Sequence, residues 1–229
     1  MPNLIQDNSY ELTRKRVKYL RIKVCPPDGL VKISAPHRVP LATIENFVRE
    51  KLGWIAKQQA RIRARKPTPP KTFEAGEIHH FLGELYPLSI IEAMAQAKVV
   101  LATDAIEIYQ RPGSTKEKRE ALLEDWYRQQ LKQRIPALIE KYEPQMDVQV
   151  KEFNVKKMKT RWGSCNTRAK RIWLSLALAK KPAECLEYVV VHEMVHLLEA
   201  SHNKRFWGLV EAYFPDWQTA KSLLSQGYK

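Results

Sequence analysis

The run His192-Glu193-Met194-Val195-His196 leaves this part of the chain one backbone to adopt. Side chains four residues apart meet on the same face of an α-helix, one turn above the other, whereas on a strand they lie too far apart to share a partner. The pattern is H-E-x-x-H, in which two imidazoles bind one Zn²⁺ and the glutamate stands beside the ion's open position. Half of the 6 histidines of the chain fall between positions 192 and 202. The flanking residues Leu186, Val189, Val190, Val191, Val195 and Leu197 are those of a buried helix, so the motif is expected inside the protein.

The residue types fit the chemistry. Neutral imidazoles leave Zn²⁺ net positive, so a coordinated water loses its proton near neutral pH, and a carboxylate beside it takes that proton as general base. Glu193 is the candidate base. His202 is the first candidate for a third ligand, on the reading that the helix ends near Ala200-Ser201 and the chain turns back; Glu199 and Glu211 are the alternatives. The step from His196 to His202 equals the metzincin spacing, but Glu199 stands where that pattern has glycine, and no methionine follows His202. An ordinary metzincin is excluded.

With 229 residues, 44% hydrophobic and 28% charged, the composition is that of a globular protein large enough for one large or two small domains. The cysteines Cys25, Cys165 and Cys185 are few and widely spaced, which fits a reducing cytoplasm better than a disulfide framework. The start of the chain lacks the pattern of a signal peptide, and no apolar run reaches membrane-spanning length, so the expected location is cytoplasmic, with no membrane partner. The net charge of +14 is uneven, because residues 1–71 hold 16 Lys and Arg against 5 Asp and Glu. Such a surface attracts phosphate-rich partners, nucleic acid among them, although a merely solubilising face explains it equally well.

The alternation of residues 10–24 reads as a strand, turning at Pro26-Pro27-Asp28-Gly29 into a second strand through Ile33. A helical pattern follows Pro40, runs through Ile44, Val48 and Ile55 into the basic stretch Arg61, Arg63, Arg65, Lys66, and stops at a linker, Pro67-Thr68-Pro69-Pro70. Strands are expected over 81–91 and 98–109. A long helix is expected from Ser114 to about Glu143, bent or interrupted at Pro136. Strands over 146–160 and 171–179, joined through Arg161 to Thr167, then lead into the motif helix after Pro182 and a closing helix around Lys204–Tyr213. The expected fold is α+β, with a basic N-terminal sheet-and-helix region, 1–113, and a small zincin-like catalytic domain, 114–229.

Three blocks carry a resemblance: Lys159-Thr160-Arg161-Trp162-Gly163-Ser164-Cys165, then Trp173-Leu174-Ser175-Leu176, then Val191 to Trp207. In order and spacing they resemble the YgjP-like metallopeptidase-domain family, and Phe81 to Leu88 resembles that family's sheet segment. The resemblance implies a SprT-like zinc fold with His192, His196 and His202 as ligands and Glu193 as catalytic base. It also implies two activities, peptide-bond hydrolysis and the splitting of UTP to UMP and pyrophosphate.

A peptidase needs a strand edge for an extended peptide and a donor for the oxyanion. Trp162 to Asn166 is the candidate edge, and Arg161 the candidate donor. A nucleotide pyrophosphatase needs several cations and Mg²⁺ around a triphosphate; clustered Arg and Lys suit it, but no Gly-rich phosphate loop is present. A third reading is a DNA-associated SprT-like protease whose basic front region docks on nucleic acid. Scaffold roles remain open for Arg161 and Trp162, with Gly163 as a tight turn between them and the core. Phe206 and Trp207 are expected to be core. The sequence favours a zinc-dependent peptidase.

Overall fold

The computed structural model describes residues 3–5, 8–64, 71–94 and 96–225. The fold is α+β, with three small sheets and six α-helices among the described residues. It divides into two compact units, Met1–Pro70 and Lys71–Lys229. The boundary expected at 113/114 falls instead at the proline-rich stretch 67–70, which lies outside the described residues. The reason is shared burial: Phe81, Leu88, Ile106 and Ile108 belong to one apolar core with Trp126, Leu131 and the motif helix, so residues 71–113 are part of the second unit.

The first unit holds β1 (Asn3–Ile5), β2 (Asn8–Lys15), β3 (Arg21–Cys25) and β4 (Leu30–Pro36) in the order β1-β2-β4-β3. The expected turn at Pro26–Gly29 joins β3 to β4 as an antiparallel hairpin, Cys25 opposite Leu30. The single strand expected over 10–24 is instead two, because β2 runs parallel to β4 while β3 runs antiparallel to it, so the chain must reverse between them. Tyr10, Val31, Ile33 and Ala35 close a small core with Ile44 and Val48 of α1 (Leu41–Glu50) and Ile55 of α2 (Leu52–Arg63). These two helices replace the one expected: at Lys51 the N–H turns back to Val48 O at 2.9 Å, a bond that tightens and ends α1. The basic positions 65 and 66 lie outside the described residues.

The second unit opens with β5 (Ile78–Phe81), β6 (Glu84–Glu92), β7 (Lys98–Leu101) and β8 (Ile106–Gln110), in the order β5-β6-β8-β7. Next comes α3 (Lys116–Met146), uninterrupted over 31 residues despite Pro136 and Pro144. A proline inside a helix costs it about 3 kcal/mol. Here Leu123, Trp126, Tyr127, Leu131, Ile135, Ile139, Tyr142 and Met146 form a buried stripe at helical spacing, and at about 1.5–3 kcal/mol per large side chain this outweighs the interruption. The helix ends where Asp147 takes φ +50°.

A three-stranded sheet follows, β9 (Glu152–Lys156), β10 (Gly163–Asn166) and β11 (Arg171–Ser175), with β11 in the centre, antiparallel to β10 and parallel to β9. Both expected strands are shorter than read. The first loses its start to α3, and the second passes at Ser175 into a 3-10 turn, Leu176–Lys180, that buries Leu176, Leu178 and Ala179. Then α4 (Ala183–Val195) carries the motif, followed by α5 (Lys204–Tyr213) and α6 (Trp217–Ser225). Nine of the thirteen α4 residues are buried, as a helix apolar on every side requires. No helix among the described residues is long and apolar enough to cross a membrane.

The start of α4 is set by a hairpin tip. Leu82 and Gly83 join β5 to β6 with φ +48° and +93°, the two-residue turn whose twist matches its strands. Leu82 N–H donates to Ala179 O at 2.9 Å. A Cβ on Gly83 would lie 2.9 Å from Cγ and 3.2 Å from Cα of Pro182, the residue that precedes α4. Gly83→Ala is expected to cost about 2 kcal/mol, from unfavourable φ and crowding together, read as a lower urea midpoint with unchanged m-value.

Candidate metal centre

Helix α4 places His192 and Glu193 in its last turn, and His196 follows at its C-cap with φ −61° and ψ −19°. The helix ends at Val195, a turn earlier than the sequence reading, because the Leu197 and Leu198 N–H groups bond back three residues, to Met194 O and Val195 O, at 2.9 Å. The chain then folds over, and Asn203 Oδ1 accepts from Phe206 N–H at 3.0 Å to cap α5. His202, immediately before that cap, is brought back to the α4 face.

The result is a trio of imidazoles whose ligating atoms all lie within 4.8 Å of one another. His192 Nε2 and His202 Nε2 are 3.0 Å apart. Zn–N bonds of about 2.0–2.1 Å in a tetrahedron put neighbouring nitrogens about 3.3 Å apart, near the His192–His202 separation, so the trio could hold a metal ion of that size. His196 Nδ1 donates to Glu199 O at 3.2 Å, which leaves the Nε2 lone pair of that ring for a ligand. Burial, with His196, His202 and Lys221 nearby, pushes His192 down to about 3, so its ring stays neutral, the form that ligates metals. Phe206, fully buried, packs behind all three rings at centroid distances of 4.9, 4.6 and 4.6 Å.

The alternative ligands go elsewhere. The Glu199 carboxylate accepts from Ser201 Oγ at 2.9 Å and Ser201 N–H at 3.2 Å, and Glu211 is exposed on α5. Among the described residues, the one group able to hold a metal is the three histidines.

Glu193 is 5% exposed and borders, with the histidines, a cavity of about 840 Å³. Burial pushes its carboxyl up to about 8, against the pull of the Arg161 guanidinium. Positive charge placed among the imidazoles acts in the same sense as Arg161. Over the carboxylate lies the backbone of β10. A Cβ on Gly163 would stand 2.5 Å from Glu193 Oε1 and 2.7 Å from its Cγ, so only glycine allows this approach. Gly163 is not the tight turn of the sequence reading; it is the first residue of β10, paired with Leu174, and its missing side chain makes room for Glu193.

Arg161 and Trp162 both line the cavity, Arg161 exposed and Trp162 half-buried with Lys181 Nζ 5.4 Å from its ring centre. Among the described residues no carboxylate pairs with Arg161. The edge expected over Trp162 to Asn166 is β10, Gly163–Asn166, which starts after Trp162 and is bonded on one side to β11, so the connection read over 161–167 itself holds a strand. Two contributors were missed. Trp207, expected in the core, lines the cavity with its ring 5.8 Å from His202, and Lys221 of α6 lines it as well. A period-3 to 4 reading of the last helix would have placed Lys221 one turn from Trp217, but nothing in the sequence says which face meets the histidines.

In the first unit, Lys15, Arg21, Lys23 and Lys32 line a shallow groove on the outward sheet face, where Lys32 pairs with Glu11 at 2.9 Å. No aromatic side chain lines that groove.

The family model of the YgjP-like metallopeptidase domain matches residues 18–227. No curated protein matches the chain. Among solved structures, the chain is similar to the metallopeptidase zymogen of Pyrococcus abyssi abylysin, at 24% identity and a TM-score of 0.35 over 39% of this chain and 87% of that one. It is also similar to the metallopeptidase zymogen of Methanocaldococcus jannaschii jannalysin, at 19% identity and a TM-score of 0.36 over 40% and 94%. With the match running from the turn before β3 to beyond α6, the chain belongs to the YgjP-like metallopeptidase-domain family.

Proposed function

We propose that this protein is a zinc-dependent peptidase in which His192, His196 and His202 hold the ion and Glu193 is the general base. The observation that carries the reading is the convergence of three imidazoles and one buried carboxylate on a single cavity beside an edge strand. Bound there, Zn²⁺ supplies a Lewis acid that polarises a carbonyl and makes water acidic near neutral pH.

The residues of the chain supply the rest. The free side of β10 takes an extended peptide as an added strand, placing its backbone by main-chain hydrogen bonds. Glu193 removes a proton from the attacking water and returns it to the leaving amine nitrogen, and its near-complete burial keeps bulk water from competing. Arg161, with no carboxylate partner among the described residues, donates to the oxygen on which negative charge develops. Trp162 walls the cavity beside it.

A nucleotide pyrophosphatase is less well supported. Among the described residues lining the cavity, Glu193 is the one carboxylate, which leaves no acidic pair to place Mg²⁺ on a triphosphate. The basic sheet face of the first unit gives nucleic acid phosphates to bind but no stacking platform, so a DNA-directed protease rests on charge alone. Free Cys25, Cys165 and Cys185 accord with the cytoplasm as the site of action.

Three variants test the roles. Glu193→Gln is expected to keep one equivalent of zinc by elemental analysis while kcat on a denatured protein falls by about 10²–10⁴. His202→Ala is expected to lose zinc in the same measurement; full stoichiometry in that variant would assign the third ligand elsewhere. Gly163→Ala, which thrusts a methyl group at the Glu193 carboxylate, is expected to keep the metal and cut kcat at least ~10-fold, because displacement by a fraction of an ångström is enough. Parallel incubation with UTP decides between substrates: loss of UTP that depends on Glu193, with denatured protein left intact, would overturn the peptidase reading.

A further inference from the structure

The cavity wall carries two permanent cations, Arg161 from the segment before β10 and Lys221 from α6, against one carboxylate, Glu193. Arg161 is given to the reacting oxygen in the function proposed above, on which the present inference rests. Lys221 is left without a task in that chemistry.

Its position is built. Trp207 and Trp217 stack with ring centres 4.7 Å apart and planes 26° from parallel, and Lys221 Nζ lies 4.4 Å from one ring centre and 5.0 Å from the other. Trp217 and Lys221 are one helical turn apart on α6, while Trp207 comes from α5, so two helices fix one ammonium group at the cavity. Trp207 in turn lies along His202, 5.8 Å away at 25°. Among the described residues no carboxylate lies within ion-pairing distance of Lys221. Lys221 is exposed, yet its ammonium group rests against two aromatic faces on the rim of a substrate-sized cavity, without a carboxylate partner among the described residues.

From this geometry we infer that Lys221 is a specificity residue that binds a substrate carboxylate, so that the enzyme selects peptides bearing a negative charge close to the bond it cuts. The carboxylate has two sources, an acidic side chain or the free C-terminus of the peptide. Either meets a wall in which positive charge exceeds negative, with Arg161 and Lys221 against Glu193.

The test uses zinc-loaded Glu193→Gln full-length protein, which holds substrate without turning it over, and three probes read by calorimetry. These are acetyl-tetraalanine amide, the same peptide with a free C-terminus, and acetyl-Ala-Ala-Asp-Ala amide. At least one carboxylate peptide is expected to bind ~5-fold or more tighter than the neutral amide, the scale of one partly screened ion pair. Whichever it is names the source. Adding Lys221→Ala should bring the ratio to within about twofold, Lys221→Arg should restore it, and Lys221→Glu should invert it. Tryptophan emission and zinc content report whether each variant is folded. In the active enzyme the same preference should appear in KM rather than in kcat. Equal binding of all three peptides, or a preference that survives Lys221→Ala, overturns the inference and leaves the peptidase reading intact. Binding of none of the peptides while UTP binds overturns both.

Discussion

The structure depends on burying a carboxylate. Glu193 sits almost entirely out of water, which ordinarily keeps such a group protonated, yet the role of general base proposed for it requires the ionised form. Everything around it addresses that conflict. Helix α4 is buried over most of its length and packs against α3, α5, α6 and the β10–β11 pair, so the carboxylate is rigidly placed. The glycine at 163 lets backbone, not a side chain, cover it. Arg161 and the charge that three neutral imidazoles can hold then favour its ionised form. Desolvation and countercharge are built from separate segments, residues 161–163 and 192–202, and neither would serve alone.

Much of this was legible in the chain. The H-E-x-x-H spacing implied its own helix, because no other backbone brings His192 and His196 together, and a return of His202 was expected from a helix ending near Ala200-Ser201, although α4 ends at Val195. The hairpin at 26–29 was also readable, since alternation and turn residues are local signals, while an edge over Trp162 to Asn166 was expected only from what a peptidase needs. The departures have a common cause in burial. Pro136 reads as a break until the eight-residue stripe on either side of it is seen packed, and residues 71–113 look like part of the front half until Phe81 and Leu88 share a core with α3. Gly163 reads as a turn because glycine usually is one; that it answers to a side chain thirty residues away is tertiary information. The same holds for Trp207 and Lys221, whose neighbours come from different helices.

The two units differ in what their surfaces are for. Among the described residues, unit 1 packs seven buried side chains under a sheet whose outward face is polar and basic, and Lys23 lies directly opposite Lys32 across the β3–β4 pair. Like charges in register cost stability, and here Glu11 on the other side of Lys32 offsets part of that. Arg21 and Lys23 lie on β3, an edge strand, where charge also discourages pairing with another chain. That role accounts for much of the basic character without a ligand.

The hairpin tip at Leu82-Gly83 has a mechanical meaning. It abuts Pro182, so it acts as a stop against which a rod of thirteen residues, about 20 Å long, is seated. Because the rod is stiff and held along its whole length, any slip at the seat is carried to its far end, where the imidazoles and the carboxylate must hold register with the strand above them. Tuning of turnover can therefore arise in a sheet that shares no residue with the reaction, by trimming or swelling one turn.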